Sequence, residues 1–192
     1  MSEDLLIAKI SHGFDHLDAD GDGLLTEQDH VLMGRSVARS LGHPTDSAEE
    51  RRIVDAYLAI WREVHLPLLP SGAKAISRAQ FLESTAALAD DPAAADAVLG
   101  GLGRAYLAVA DADGNGQVDA DEFFAFQRGH FPHLRRIDAD TAFAHLDRDG
   151  DGALSPEEFV TAIVEYWSSR DPQAPGNWWT GSPQGNPDPT TL

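Results

Sequence analysis

Apolar residues return at helical spacing along most of the chain, and short polar stretches interrupt them. Phe14 and Leu17 close the first apolar stretch. A second runs through Ile53, Tyr57, Ile60, Trp61, Val64 and Leu68, and another begins near Ser77 with Phe81, Leu82, Thr85 and Leu88 on one face. Asp91-Pro92 marks the start of a helix that continues through Val98, Leu99, Leu102, Tyr106 and Leu107. Phe123, Phe124 and Phe126 open the next one. A short linker through Gly129 and Pro132 then leads to Ala142, Phe143 and Leu146, and a last helix runs from Phe159 through Ile163, Tyr166 and Trp167. The pattern predicts an all-α chain that ends its helices near Trp167.

The polar interruptions carry the chemistry. Three of them repeat one spacing of oxygen donors: Asp18-Ala-Asp20-Gly-Asp22-Gly23, Asp111-Ala-Asp113-Gly-Asn115-Gly116 and Asp147-Arg-Asp149-Gly-Asp151-Gly152. In a twelve-residue calcium loop, side chains at positions 1, 3 and 5 point inward and a glycine at 6 takes the turn. Position 7 gives a backbone carbonyl, position 9 contributes often through water, and a carboxylate at 12 closes the cage. The first loop offers Asp18, Asp20, Asp22, the Leu24 carbonyl, Thr26 and Asp29. The second offers Asp111, Asp113, Asn115, the Gln117 carbonyl, Asp119 and Glu122, and the third Asp147, Asp149, Asp151, the Ala153 carbonyl, Ser155 and Glu158. Position 8 is apolar each time, as Leu25, Val118 and Leu154, which suits two loops meeting through a short backbone pairing.

Asp and Gly favour turns for local reasons, and Thr26, Asp119 and Ser155 with their following acids also read as helix caps. Capping explains the ends of the loops but not the six residues before them. Helix, twelve-residue loop, helix closely resembles the EF-hand family. A dockerin-type repeat shares the loop but lacks the entering helix that the aromatic stripes predict here.

EF-hands generally pair, and the loops at Asp111 and Asp147 are close enough to do so. The loop at Asp18 needs a mate, and Leu69 to Gln80 lies where one belongs, with Ile76 at the apolar position. Its ligand positions hold Leu69, Ser71, Ala73, Ala75, Ser77 and Gln80. Without a carboxylate it is expected to be a structural hand that binds no metal. Four hands with a silent second one, from about Leu5 to Trp167, resemble the bacterial calerythrin-like proteins, some sarcoplasmic calcium-binding proteins and the calcium-regulated photoproteins. The resemblance implies two EF-hand pairs in one compact globule: an N-terminal pair over 1–90 and a C-terminal pair over 91–168, with a Pro/Gly-rich tail over 169–192 that carries a Trp pair. Three Ca2+ ions are the implied cofactors. Asp29 at position 12 is one methylene shorter than Glu122 and Glu158, so the first site is expected to bind calcium more weakly or to accept Mg2+ more readily.

Charge strengthens this reading. Fourteen Lys and Arg oppose thirty-two Asp and Glu, for a formal net charge of -18. No basic face is visible for a nucleic acid. Twelve of the acids are proposed ligands, so three divalent ions, with six positive charges, would leave -12. Cysteine is absent, and no uninterrupted apolar stretch looks long enough to span a bilayer. The N-terminus lacks a signal-peptide pattern, and Ser2 stands where myristoylation requires Gly. A cytoplasmic monomer without membrane or nucleic-acid partners is the expectation.

Met1 and Met33 are the whole methionine content, whereas calcium sensors usually present a Met-rich groove. The rigid Phe, Trp, Leu and Ile faces favour a calcium buffer or transport protein. The alternatives are a sensor that shows an apolar groove to a target protein, and a carrier of an apolar small ligand using His16, Tyr57, Trp61, Tyr106 and Trp167. An enzyme is not expected, because the paired aspartates follow helices and a bound ion would hold them ionised. His130 and His133 read as loop and surface residues. Trp178 and Trp179 are expected to dock on the protein, with the segment after about Pro183 disordered.

Overall fold

Thr26, Ser77, Asp119 and Ser155 each cap a helix directly after a short strand, and this repeated join sets the architecture. In the computed structural model, which describes residues 2–69 and 72–181, α1 (Ser2–Leu17) leads through β1 (Leu24–Thr26) into α2 (Glu27–Ser40). Helix α3 (Ala48–Ile60) continues as a π-helical turn, Trp61–His65, and a 3-10 turn, Leu66–Leu68, before β2 (Ala75–Ser77) and α4 (Arg78–Ala87). Then follow α5 (Pro92–Ala110), β3 (Val118–Asp119), α6 (Ala120–His130), α7 (Arg136–Leu146), β4 (Ala153–Leu154) and α8 (Pro156–Ser168). Ser71 of the second loop and the segment after Pro183 lie outside the described residues.

Two antiparallel ribbons tie the loops in pairs. Leu25 faces Ile76 between β1 and β2, and Val118 faces Leu154 between β3 and β4. All four are buried, so the apolar eighth position of each loop anchors its ribbon in the core. The carboxylate-free second loop is therefore the partner of the first, and Ser77 with Gln80 rebuilds a complete capping box behind it.

Among the described residues, all eight α-helices feed one continuous core, from Ile10 and Phe14 on α1 to Phe159 and Ile163 on α8. Helix α2 packs on α6 across the molecule. Gly129, expected in a linker, belongs to α6 and is buried against α2; a Cβ there would come within 2.5 Å of the Val37 Cα. The glycine serves a close helix crossing rather than a break. His130 also departs from the expected surface position: it is buried, with Nε2 2.7 Å from the Tyr57 hydroxyl and Nδ1 3.2 Å from the Phe126 carbonyl oxygen. It closes the last turn of a helix whose inner face it shares, a placement that depends on packing. His133, by contrast, is exposed.

Helix α5 is the one described helix long and apolar enough to cross a membrane by length and composition. The sequence pattern had not marked it, because Asp96 and Arg104 interrupt the apolar run. Its buried face, with Leu99, Leu102, Tyr106 and Val109, packs chiefly on α8, which accounts for its composition as core.

The chain then returns over α8. A 3-10 turn, Pro175–Trp178, carries Trp178 onto the His145 ring, stacked with centroids 3.9 Å apart. Trp179 is buried among Phe123, Phe126 and Phe159. The Gln127 side chain donates to the Trp179 carbonyl at 2.6 Å. Lys9, from the other end of the chain, donates to the carbonyls of Glu165 and Ser169 and to Asn177 Oδ1.

Candidate metal centres

Each loop is held open by the same internal hydrogen bonds, which aim its acids inward before any ion is considered. The position 1 carboxylates accept from the backbone of the turn: Asp18 from Asp22 and Gly23, Asp111 from Asn115 and Gly116, Asp147 from Gly150 and Gly152. Position 3 accepts from the N–H of position 5, and position 5 from that of position 7, in all three. Gly23, Gly116 and Gly152 at position 6 have φ of 85°, 90° and 92°, a left-handed conformation that side chains resist.

Position 12 reaches back across the loop. Glu122 accepts from the backbone of Ala112, Asp113 and Asp119, and Glu158 from Arg148 and Ser155. Burial pushes the Glu158 carboxyl upward, but hydrogen bonds from Ser155, Arg148 and Asp149 outweigh it and hold the group below its ordinary value. Asp29 makes the corresponding bonds to Ala19, Asp20 and Thr26, and is completely buried.

The carboxylates gather in three clusters whose ligand atoms lie within 4.8 Å of one another: Asp18, Asp20 and Asp22; Asp111, Asp113 and Glu122; Asp147, Asp149 and Glu158. Neither Asp29 of the first loop nor Asp151 of the third belongs to these groups, whereas Glu122 and Glu158 do. Asp29 nevertheless receives the same backbone bonds at position 12 as Glu122 does in its loop. In the first cluster the Asp22 N–H draws the Asp20 carboxyl down, yet slight desolvation and its neighbours Asp29, Asp22 and Asp18 leave it raised. A divalent ion would remove that repulsion.

Position 9 is otherwise employed. Thr26, Asp119 and Ser155 use their side-chain oxygens as N-caps, accepting from Gln28, from Asp121 and Glu122, and from Glu158. Asp119 is not among the clustered carboxylates, and position 9 of such loops often reaches the ion through water. Leu24 and Ala153 lie in the ribbon strands and Gln117 just before one.

Sequence reasoning missed one connection. Arg148, at position 2 of the third loop, pairs with Glu165 on α8 at 2.7 Å, and the other Glu165 oxygen accepts from the Gly176 N–H. The last loop is thereby joined to the docked tail. Among the described residues the spaces between the core aromatics are small, about 50 Å³ beside His65 and Phe81 and about 20 Å³ lined by His16, Tyr106, Trp167 and Trp179. Of the aromatic residues singled out from the sequence, Tyr57 is taken by His130 and Trp61 packs against His30. A wider open groove of about 870 Å³ lies elsewhere, beside Trp61, Leu66 and Leu69.

A family model described as EF hand matches residues 104–126 and 135–164. The chain is similar to calerythrin of Saccharopolyspora erythraea, 25% identical over 84% of this chain and 92% of that protein. It is similar to obelin of Obelia geniculata, 28% identical over 88% of this chain and 87% of the other. The calcium-loaded apo form of coelenterazine-binding protein from Renilla muelleri shares its fold, with a TM-score of 0.75 at 20% identity over 94% of this chain and 97% of that one.

Proposed function

We propose, for a chain that belongs to the EF-hand superfamily and binds calcium, the role of an intracellular calcium buffer or transport protein with three sites and no catalytic function. The observation that carries this is the filled interior. A sensor needs a groove that opens to a target helix, and a small-molecule site needs roughly 300 Å³ or more. Among the described residues the spaces between the core rings measure about 50 Å³ and about 20 Å³, and the groove of about 870 Å³ is an open one away from these rings, beside Trp61, Leu66 and Leu69. Binding of the purified protein to a hydrophobic dye or resin, with and without calcium, tests it. Calcium is expected to leave the signal flat or lower it, and strong calcium-triggered binding would overturn the buffer role.

The first site is proposed to be the weaker one for calcium and the more tolerant of magnesium, because Asp29 at position 12 is one methylene shorter than Glu122 and Glu158 and grips less well in bidentate fashion. Asp29→Glu is expected to raise its preference for calcium over magnesium roughly tenfold by supplying a bidentate grip. Calorimetric titration with calcium against a magnesium background reads this directly, and an unchanged preference would count against it.

A second reading rests on the small cavity lined by His16, Tyr106, His130, Tyr166, Trp167 and Trp179, together with the likeness to obelin and to a coelenterazine-binding protein. In that reading an apolar aromatic ligand replaces Trp179 between the helices. Coelenterazine added to the protein would then give bound visible absorbance; its absence removes this reading.

A further inference from the structure

Away from the loops, two histidines are arranged for a different kind of ion. His12 and His16 stand one turn apart on α1, with ring centroids 4.5 Å apart. The Phe131 ring covers both, 5.8 Å from His12 and 4.2 Å from His16, and both side chains are half-buried. His130 and His30 spend ring nitrogens on hydrogen bonds. Among the described residues, neither His12 nor His16 makes one. Burial lowers the His12 pKa, against the pull of Asp15, so its ring is neutral at physiological pH. Asp15 itself is held by Arg78.

Two imidazoles on one tetrahedral ion, with metal–nitrogen bonds near 2 Å, place their ring centres about 5 Å apart. The observed 4.5 Å is close to that spacing. Histidines at i and i+4 on one helix face are a recognised chelating pair, and imidazole suits zinc and copper where all-oxygen loops suit calcium. We propose that His12 and His16 form a site for an imidazole-preferring divalent transition ion, such as Zn2+, distinct from the calcium loops. Water, or the exposed His133 on the linker that carries Phe131, completes the shell.

The test is calorimetric titration of Zn2+ into the full chain under excess calcium, which occupies the carboxylate loops. One equivalent is expected. Removing even a supporting residue around a metal commonly costs 10–100-fold, so loss of a ligand in His12→Gln or His16→Gln should weaken zinc by roughly tenfold or more, and the double variant should abolish it. Calcium stoichiometry of the variants checks their folding. Should the double variant fold poorly, Cu2+ electron paramagnetic resonance on the unaltered protein decides the case through nitrogen ligation. No zinc binding, zinc binding unchanged in the double variant, or a copper signal from oxygen ligands alone would overturn the proposal.

Discussion

Thermal melts in chelator and in excess calcium should differ by tens of degrees. The apo chain must keep three clusters of carboxylates within 4.8 Å of one another inside a protein of formal charge -18, and this self-repulsion opposes the compact state. The loops also connect α1 to α2, α5 to α6 and α7 to α8, so their disorder would loosen three of the four helix pairs. An ion that binds only the folded state at a thousandfold excess over its dissociation constant stabilises by about 4 kcal/mol per site. For a chain of this size about 1 kcal/mol moves the midpoint by about 2–4 °C. A single such site therefore gives a shift of roughly 8–16 °C, and several give more. The expected apo form is loosely packed, with near-ultraviolet dichroism weakened more than far-ultraviolet. Equal midpoints with chelator and calcium would defeat this account of how metal and fold are linked.

Truncation after Asp171 should have the next largest effect. It removes Trp179, which is buried against Phe123, Phe126 and Phe159, and large-to-small changes of a buried Trp cost about 3–5 kcal/mol. It also strips the Gln127 amide of its acceptor and Lys9 of Asn177. An orphaned buried polar group adds about 1–3 kcal/mol. A fall of roughly 10–20 °C in the calcium-loaded midpoint follows, with new dye binding where the phenylalanine rings lose their cover. Trp179→Ala should reproduce most of the loss without shortening the chain. An unchanged melt would mean that the docked segment contributes nothing to the core.

Much of this was legible in the residues. The loops could be read because their chemistry is local: ligand types at fixed spacing, a glycine where φ turns positive, and a capping acid three residues after the cap. Even the mate of the first loop could be found, since Ile76 keeps the apolar register when every carboxylate is gone. Gly129 and His130 were misplaced because both look like the end of a helix in sequence. Only the approach of α2, bringing Val37 against one, and of Tyr57, bonding to the other, gives them their roles. Arg148 looked like a filler between two ligands until Glu165 came within reach.

The sequence by itself determined the helix-loop-helix units, the positions of the candidate calcium ligands and the silent second hand, because these depend on contacts within a dozen residues. The tertiary structure alone decided that Asp29 is completely buried and that His12 and His16 share a cover with Phe131. The sequence led to the expectation that Trp178 and Trp179 dock on the protein; the tertiary structure decided where, with Trp179 buried against Phe123 and Phe126, because packing between segments more than fifty residues apart leaves no periodic trace in the sequence.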